Sequence, residues 1–272
     1  MKGEGTADAS WTPPPLVDAH AHVFTRDLPL SRHAWTHPTR DHRAEDWLAT
    51  LDQHGIAFGV IAALSLFDDD NGYVLEALAR HRGRLRATVQ ASTDTSAATL
   101  QAMADVGVVG VRLQWRNRET LDPADAAHQR FFRHLADAGL HVELLARGAE
   151  LRALLPPISA SGVKLVIDHL GDPGPEGVES PGFAAVLHAL ENGRTLVKLA
   201  ATTRIPFAIA RAVTQRLLEV AGPERMVWGS DAPFVGHEET PYDQVLDTLV
   251  QLVPDAATRH AMGLTALREW FW

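Results

Sequence analysis

The sequence contains an H-x-H pair inside Val17-Asp18-Ala19-His20-Ala21-His22. In an extended chain alternate side chains share a face, which puts His20 and His22 together. Two imidazoles so placed can bind a metal or donate hydrogen bonds to a substrate oxygen. Farther along, Val166-Ile167-Asp168-His169-Leu170-Gly171 presents His169, and Val227-Trp228-Gly229-Ser230-Asp231-Ala232-Pro233 presents Asp231. Taken singly, these residues suit a polar loop, a helix cap or a hydrogen-bonded core position equally well. Position is what joins them: each follows a short apolar run. Three histidines and one carboxylate then form a single constellation.

The apolar runs are the elements that must position it. They occur at 16–19, 58–64, 85–90, 108–113, 140–145, 164–167, 195–199 and 225–228, with longer amphipathic segments between them. Continuous apolar strands alternating with helices indicate a parallel sheet covered on both faces. Helices are legible at 44–54, 72–81, 97–106, 126–138 and 205–220, several of them ended by a glycine that suits a C-cap. Eight such units in 272 residues favour an α/β fold of the (β/α)₈ TIM-barrel type, with a doubly wound open sheet as the alternative. In a barrel the C-terminal strand ends carry the active site, and His20, His22, His169 and Asp231 all fall there. Residues 1–15 (MKGEGTADASWTPPP) read as a flexible tail, and 16–272 as one barrel domain.

Composition narrows the partners. The chain has no cysteine, so thiolate metal sites, disulfides and a cysteine nucleophile are excluded, and a cytoplasmic setting is expected. A formal charge of −9 argues against nucleic acid and anionic membranes. No apolar run approaches a membrane span, and the N-terminus has no apolar signal core. An anionic substrate must be drawn in by local arginines. There is no G-x-S-x-G elbow, and His237-Glu238-Glu239 is not a zinc-protease motif. The Asp68-Asp69-Asp70 run suits a solvated helix start. Ser65 and Asn71, after the second run, are candidates for touching a substrate.

The motifs V-D-A-H-A-H, I-D-H-L-G and W-G-S-D-A-P, in this order, resemble the amidohydrolase superfamily. More narrowly they are similar to its branch of 2-pyrone-4,6-dicarboxylate lactonases and sugar-acid lactonases. The match is carried further by H-V-F after the H-x-H, Asp70-Asn71, G-V-R-L at 110–113 and Val197-Lys198. The resemblance implies a hydrolase that opens a carboxylated lactone. It casts Asp231 as the general base that activates water, and His20, His22 and His169 as the groups polarising the carbonyl. It places Arg112, Arg118 and Arg204 where the branch holds substrate carboxylates, a task suited to the planar guanidinium fork. It also implies work without a metal, so no cofactor is expected. The alternative is a single Zn²⁺ on His20, His22 and Asp231, with His169. A homodimer is a further expectation.

Two departures bear on the substrate. Leu144 or Leu145 stands where the branch presents a tyrosine, and Asp172 where it often has arginine. An acid there repels a second carboxylate, so a smaller or less charged lactone is expected as readily as the dicarboxylate. Lactone isomerisation by the same base, a mononuclear zinc hydrolase or decarboxylase, and a non-catalytic binding barrel are the competing functions. The aromatic C-terminal segment 261–272 is expected to pack on the barrel.

Overall fold

The computed structural model describes residues 10–116 and 121–272. Eight parallel strands run in sequence order: β1 (Val17–Ala21), β2 (Phe58–Ile61), β3 (Leu85–Val89), β4 (Val108–Gln114), β5 (His141–Leu145), β6 (Leu165–Ile167), β7 (Thr195–Leu199) and β8 (Met226–Trp228). The sheet closes on itself: an isolated parallel bridge joins Ala21 to Ala232. The Asp231 amide donates to the His20 carbonyl at 2.8 Å and the His22 amide to the Ala232 carbonyl at 2.7 Å. Strand closure therefore runs through the candidate site residues themselves. Gly229 makes it possible: a Cβ there would lie 2.4 Å from the His20 Cβ.

The expected helices form as α1 (Ala44–Gln53), α2 (Gly72–His81), α3 (Ala97–Asp105), α4 (Ala126–Asp137) and α7 (Phe207–Ala221). Four more complete the shell: α5 (Gly148–Ala160), α6 (Pro181–Leu190), α8 (Tyr242–Leu252) and α9 (Ala256–Thr265). The main apolar core lies between strands and helices, around residues such as Trp47, Phe131, Phe132 and Leu246. A second, smaller cluster brings Val17, Ala19, Val60, Val166, Leu196 and Val227 together with Ala266 and Phe271. The aromatic C-terminus packs on the barrel as expected. Phe271 is buried, its ring 5.7 Å from that of His141, and Trp272 meets Phe58 edge to face at 5.0 Å. Of the N-terminal segment, Trp11 packs on the core with its ring 6.0 Å from His54.

One layer beyond the smaller cluster, two positions along each strand, the interior becomes polar. Two residues after Val166 comes Asp168, after Leu196 Lys198, and after His141 Glu143. All three are buried, together with His20 and Arg112. Charges in a closed interior persist only when paired, and this layer is the floor of the site.

Candidate active site

His20 is the hub. Its Nε2 lies 3.5 Å from Asp231 Oδ1, and its Nδ1 lies 3.3 Å from Lys198 Nζ, 3.4 Å from Asp168 Oδ1 and 3.8 Å from Glu143 Oε1. His22 donates from Nδ1 to the Ala62 carbonyl at 2.8 Å. That bond turns the Nε2 lone pair inward, 3.4 Å from the same Asp231 Oδ1. His169 packs against His20 with ring centroids 4.9 Å apart and the ring planes tilted by 59°. The other Asp231 oxygen, Oδ2, accepts from Arg204. Both His169 (φ 52°) and Asp231 (φ 71°) sit in the left-handed backbone region, a strained conformation that clusters at functional sites.

Within β1, a separate buried carboxylate anchors the barrel seam. Asp18 accepts from the Ser230 amide at 2.8 Å, the Ser230 hydroxyl at 2.6 Å, Tyr242 at 2.9 Å and Trp47 at 3.3 Å. It fixes the backbone on either side of His20 and Asp231 without entering the site.

A cavity of about 750 Å³ opens over this floor. His22, Arg112, Gln114, His169 and Arg204 line its base. Loop residues Arg32, His33, Trp35, Ser65, Arg116 and His237 line its walls. The structure thus brings His22, His169, Arg112, Arg204 and Ser65 to one space, with Asp231 and His20 buried beneath it. Asn71 is not brought there: its amide clasps the Asp69 and Gln90 backbone. Arg118 lies outside the described residues. Leu145 lines the cavity, and Asp172 is paired with Arg116 at 3.3 Å, so its negative charge is neutralised locally. Sequence reading gave no site role to Glu143, Arg32 or Arg116, nor to Lys198, which entered only through the Val197-Lys198 motif.

Arg112 is largely committed to the floor. Its Nε meets Asp168 Oδ2 at 2.8 Å and Glu143 Oε1 at 3.0 Å, and its NH1 donates to the Ala63 carbonyl at 2.6 Å. Only NH2, 3.4 Å from His169 Nε2, faces the imidazoles. Three of the four arginines lining the cavity are matched by acids: Arg112, Arg116 and Arg204. Arg32 has no carboxylate partner among the described residues; its Nε donates to His33 at 3.0 Å.

Electrostatics follow from burial. Burial, helped by the Lys198 charge, drives His20 down to about 4 against the pull of Asp168. Burial likewise lowers His169 well below its ordinary value, and lowers His141. For Asp231, burial pushes up, but Arg204, His22 and His169 outweigh it and hold the carboxyl well below its usual range. A histidine whose folded value lies below its unfolded 6.5 adds stability that is complete above that pH and is lost as pH falls towards 4. For His20 alone this is about 3 kcal/mol at roughly 1.4 kcal/mol per unit, and His169 and His141 act in the same direction. Urea unfolding is therefore expected to show a falling midpoint between pH 6.5 and 4. A flat profile across that window would show that His20 is not held neutral.

By position the donor set also suits one divalent cation, on condition that His20 turns an Nε2 lone pair towards it. His20, His22 and Asp231 each offer an atom within 4.8 Å of the others. The His20 Nε2 and Asp231 Oδ1 atoms are buried with no hydrogen-bond partner. Nitrogen and carboxylate ligands of this kind suit Zn²⁺, with the His22–Ala62 bond as the outer support such ligands require.

Known proteins share this architecture. The chain is 28% identical over 235 residues to 4-sulfomuconolactone hydrolase of Hydrogenophaga intermedia, covering 83% of this chain and 77% of that one. It is 27% identical over 280 residues to 2-pyrone-4,6-dicarboxylate hydrolase of Comamonas testosteroni, covering 96% and 91%. A solved Pseudomonas putida structure described as a 2-pyrone-4,6-dicarboxylic acid hydrolase superposes with a TM-score of 0.84 at 33% identity, covering 92% and 96%. The Amidohydro_2 model matches residues 17–272, so the barrel with its His20, His22, His169 and Asp231 cluster belongs to the amidohydrolase family.

Proposed function

We propose that the protein hydrolyses a lactone bearing an anionic substituent, with Asp231 as general base. The observation that carries this reading is the convergence of His20 and His22 on one Asp231 oxygen beneath a cavity lined by four arginines. The named lactone hydrolases among its relatives support the same substrate class.

A water held by Asp231 attacks the ester carbonyl carbon and gives its proton to the carboxylate. The carbonyl oxygen becomes an oxyanion, and imidazole N–H groups set around it lower the barrier; His22, whose N–H is spent on Ala62, is not among them. The oxyanion then collapses and the ring C–O bond breaks. The leaving oxygen takes the proton held by Asp231 as the ring opens, which returns the carboxylate. Arg204 links binding to this step, since it lines the cavity and also pairs with Asp231. A substrate carboxylate that draws Arg204 towards itself relieves the charge that keeps Asp231 a weak base. Arg32, without an acid partner among the described residues, suits the same anion. When bound, a zinc ion held by His20, His22 and Asp231 would supply Lewis-acid polarisation and a more acidic water. The absence of cysteine suits a reducing, cytoplasmic setting.

The test is a panel of lactones with carboxylate, sulfonate or no charged substituent, run in ¹⁸O water. The expected result is ring opening of an anionic member with label in the product carboxylate. Conversion without label assigns isomerisation, and no conversion across the panel removes the lactone reading.

A further inference from the structure

The floor of the barrel holds an ammonium that the mechanism above does not use. Lys198 is completely buried. Its Nζ has three protons to donate and three acceptors around it: Glu143 Oε2 at 2.5 Å, His20 Nδ1 at 3.3 Å and Asp168 Oδ1 at 3.8 Å. A neutral imidazole carries its proton on one nitrogen only, and what faces the other nitrogen decides which. We propose that Lys198, itself held by Glu143, fixes His20 with its proton on Nε2, so that the ring offers the cavity a hydrogen-bond donor instead of a metal-ligating lone pair.

The alternatives can be compared contact by contact. With the proton on Nε2, the Nδ1 lone pair accepts from Lys198. The Nε2–H then points at Asp231 Oδ1, 3.5 Å away, and two buried atoms that otherwise have no partner, His20 Nε2 and Asp231 Oδ1, face each other as donor and acceptor. One acceptor pair is left, Nδ1 against Asp168 Oδ1 at 3.4 Å, and the ammonium sits beside both. With the proton on Nδ1, Asp168 Oδ1 gains a donor. But an N–H then confronts the Lys198 ammonium at 3.3 Å, and the Nε2 lone pair confronts the Asp231 carboxylate. The His22 Nε2 lone pair faces Asp231 Oδ1 in either case. Beyond it, the first arrangement leaves one like pair, bridged by the ammonium. The second leaves two: Asp168 Oδ1 bridges the N–H and the ammonium, and nothing bridges Nε2 and Asp231. Leaving buried groups so mismatched is costly.

Glu143 completes the device. Without it, Lys198 would be a buried cation whose nearest carboxylate is Asp168, already bonded to Arg112. With it, Glu143, Asp168, Lys198 and Arg112 make two negative and two positive charges, and His20 stays neutral among them. His20 and His22 then differ in kind. His22, whose Nδ1–H is spent on Ala62, offers Asp231 a lone pair, and His20 offers it a proton. A water between His22 and Asp231 could give hydrogens to both, while His20 donates to an oxygen beside them. The same arrangement disfavours a cation on His20 Nε2, although the atom is well placed for one.

Lys198 is thus a positioning residue, and its test reads the ring directly, independently of whether lactones are the substrates. In metal-free, ¹⁵N-labelled protein at neutral pH, multiple-bond ¹H–¹⁵N correlations are expected to place the His20 proton on Nε2; the signals are assigned by their loss in His20→Gln. In Lys198→Met the proton is expected to move to Nδ1, donated to Asp168. Zinc, titrated in competition with a chromophoric chelator, is then expected to bind at least about tenfold more tightly, because the Nε2 lone pair is released towards His22 and Asp231. Should Lys198→Met fail to fold, Lys198→Met with Glu143→Leu removes one charge of each sign and serves the same readouts. Wild-type protein with the proton on Nδ1, a variant that keeps it on Nε2, or unchanged zinc affinity would each overturn the proposal.

Discussion

Asp231→Asn is expected to lower turnover by about 10²–10⁴-fold, the range that general acid–base catalysis contributes, without disturbing the fold. The substitution keeps the shape of the side chain, and asparagine tolerates the left-handed backbone at this position. Its chemistry changes at one point. Arg204 donates to Oδ2, so the amide oxygen must face the guanidinium and the NH₂ must face His20 and His22. The NH₂ then donates to the His22 Nε2 lone pair, so neither group is left free to take the water's proton. Removing the carboxylate also frees the Arg204 charge for an anionic substrate, so KM is expected to stay level or fall while kcat collapses. That split separates loss of the base from loss of binding. The measurement is steady-state kinetics on whichever lactone the wild type opens. A kcat within about threefold of wild type would remove Asp231 from the base role.

What was legible in the sequence follows from what burial does to composition. All eight strands stood out because a parallel strand covered on both faces must be apolar along its length. The four helices that escaped notice include α5, whose Pro156 and Pro157 lie inside it and contradict its local preference. They also include α6, where Ser180 caps the Phe183 amide and Pro181 occupies the first turn, a start signal that was present and unused. The site divides in the same way. His20, His22, His169 and Asp231 were visible because polar residues closing apolar runs call for an explanation. Glu143 within H-V-E-L-L reads as a lone charge in a strand, and Lys198 within L-V-K-L stood out as part of a matched motif but with no role attached. The usable signal was joint: opposite charges on two fully covered strands can persist only by meeting inside the barrel. For Arg112, sequence gave the strand end but not the partners, and its largest commitment is to Asp168 and Glu143.

That commitment sets the second large expectation. Arg112→Met keeps the aliphatic bulk but withdraws the cation that sits between Asp168 and Glu143. Lys198 then faces two buried carboxylates alone. Breaking a buried charge network by removing one partner typically costs about 3–5 kcal/mol, which for a chain of this size means a fall in Tm on the order of 10 °C. Protonation of one orphaned carboxylate is the relief available, so the loss should shrink as pH falls towards the ordinary carboxylate range. The wild type behaves oppositely over the same interval, because its neutral histidines make it less stable as pH falls. Thermal unfolding of both proteins at pH 7 and 5 checks the prediction: the gap between them should narrow on acidification. An unchanged Tm with a KM raised by two orders of magnitude would instead make Arg112 chiefly a substrate clamp, its NH2 beside His169 outweighing the bonds it makes in the floor.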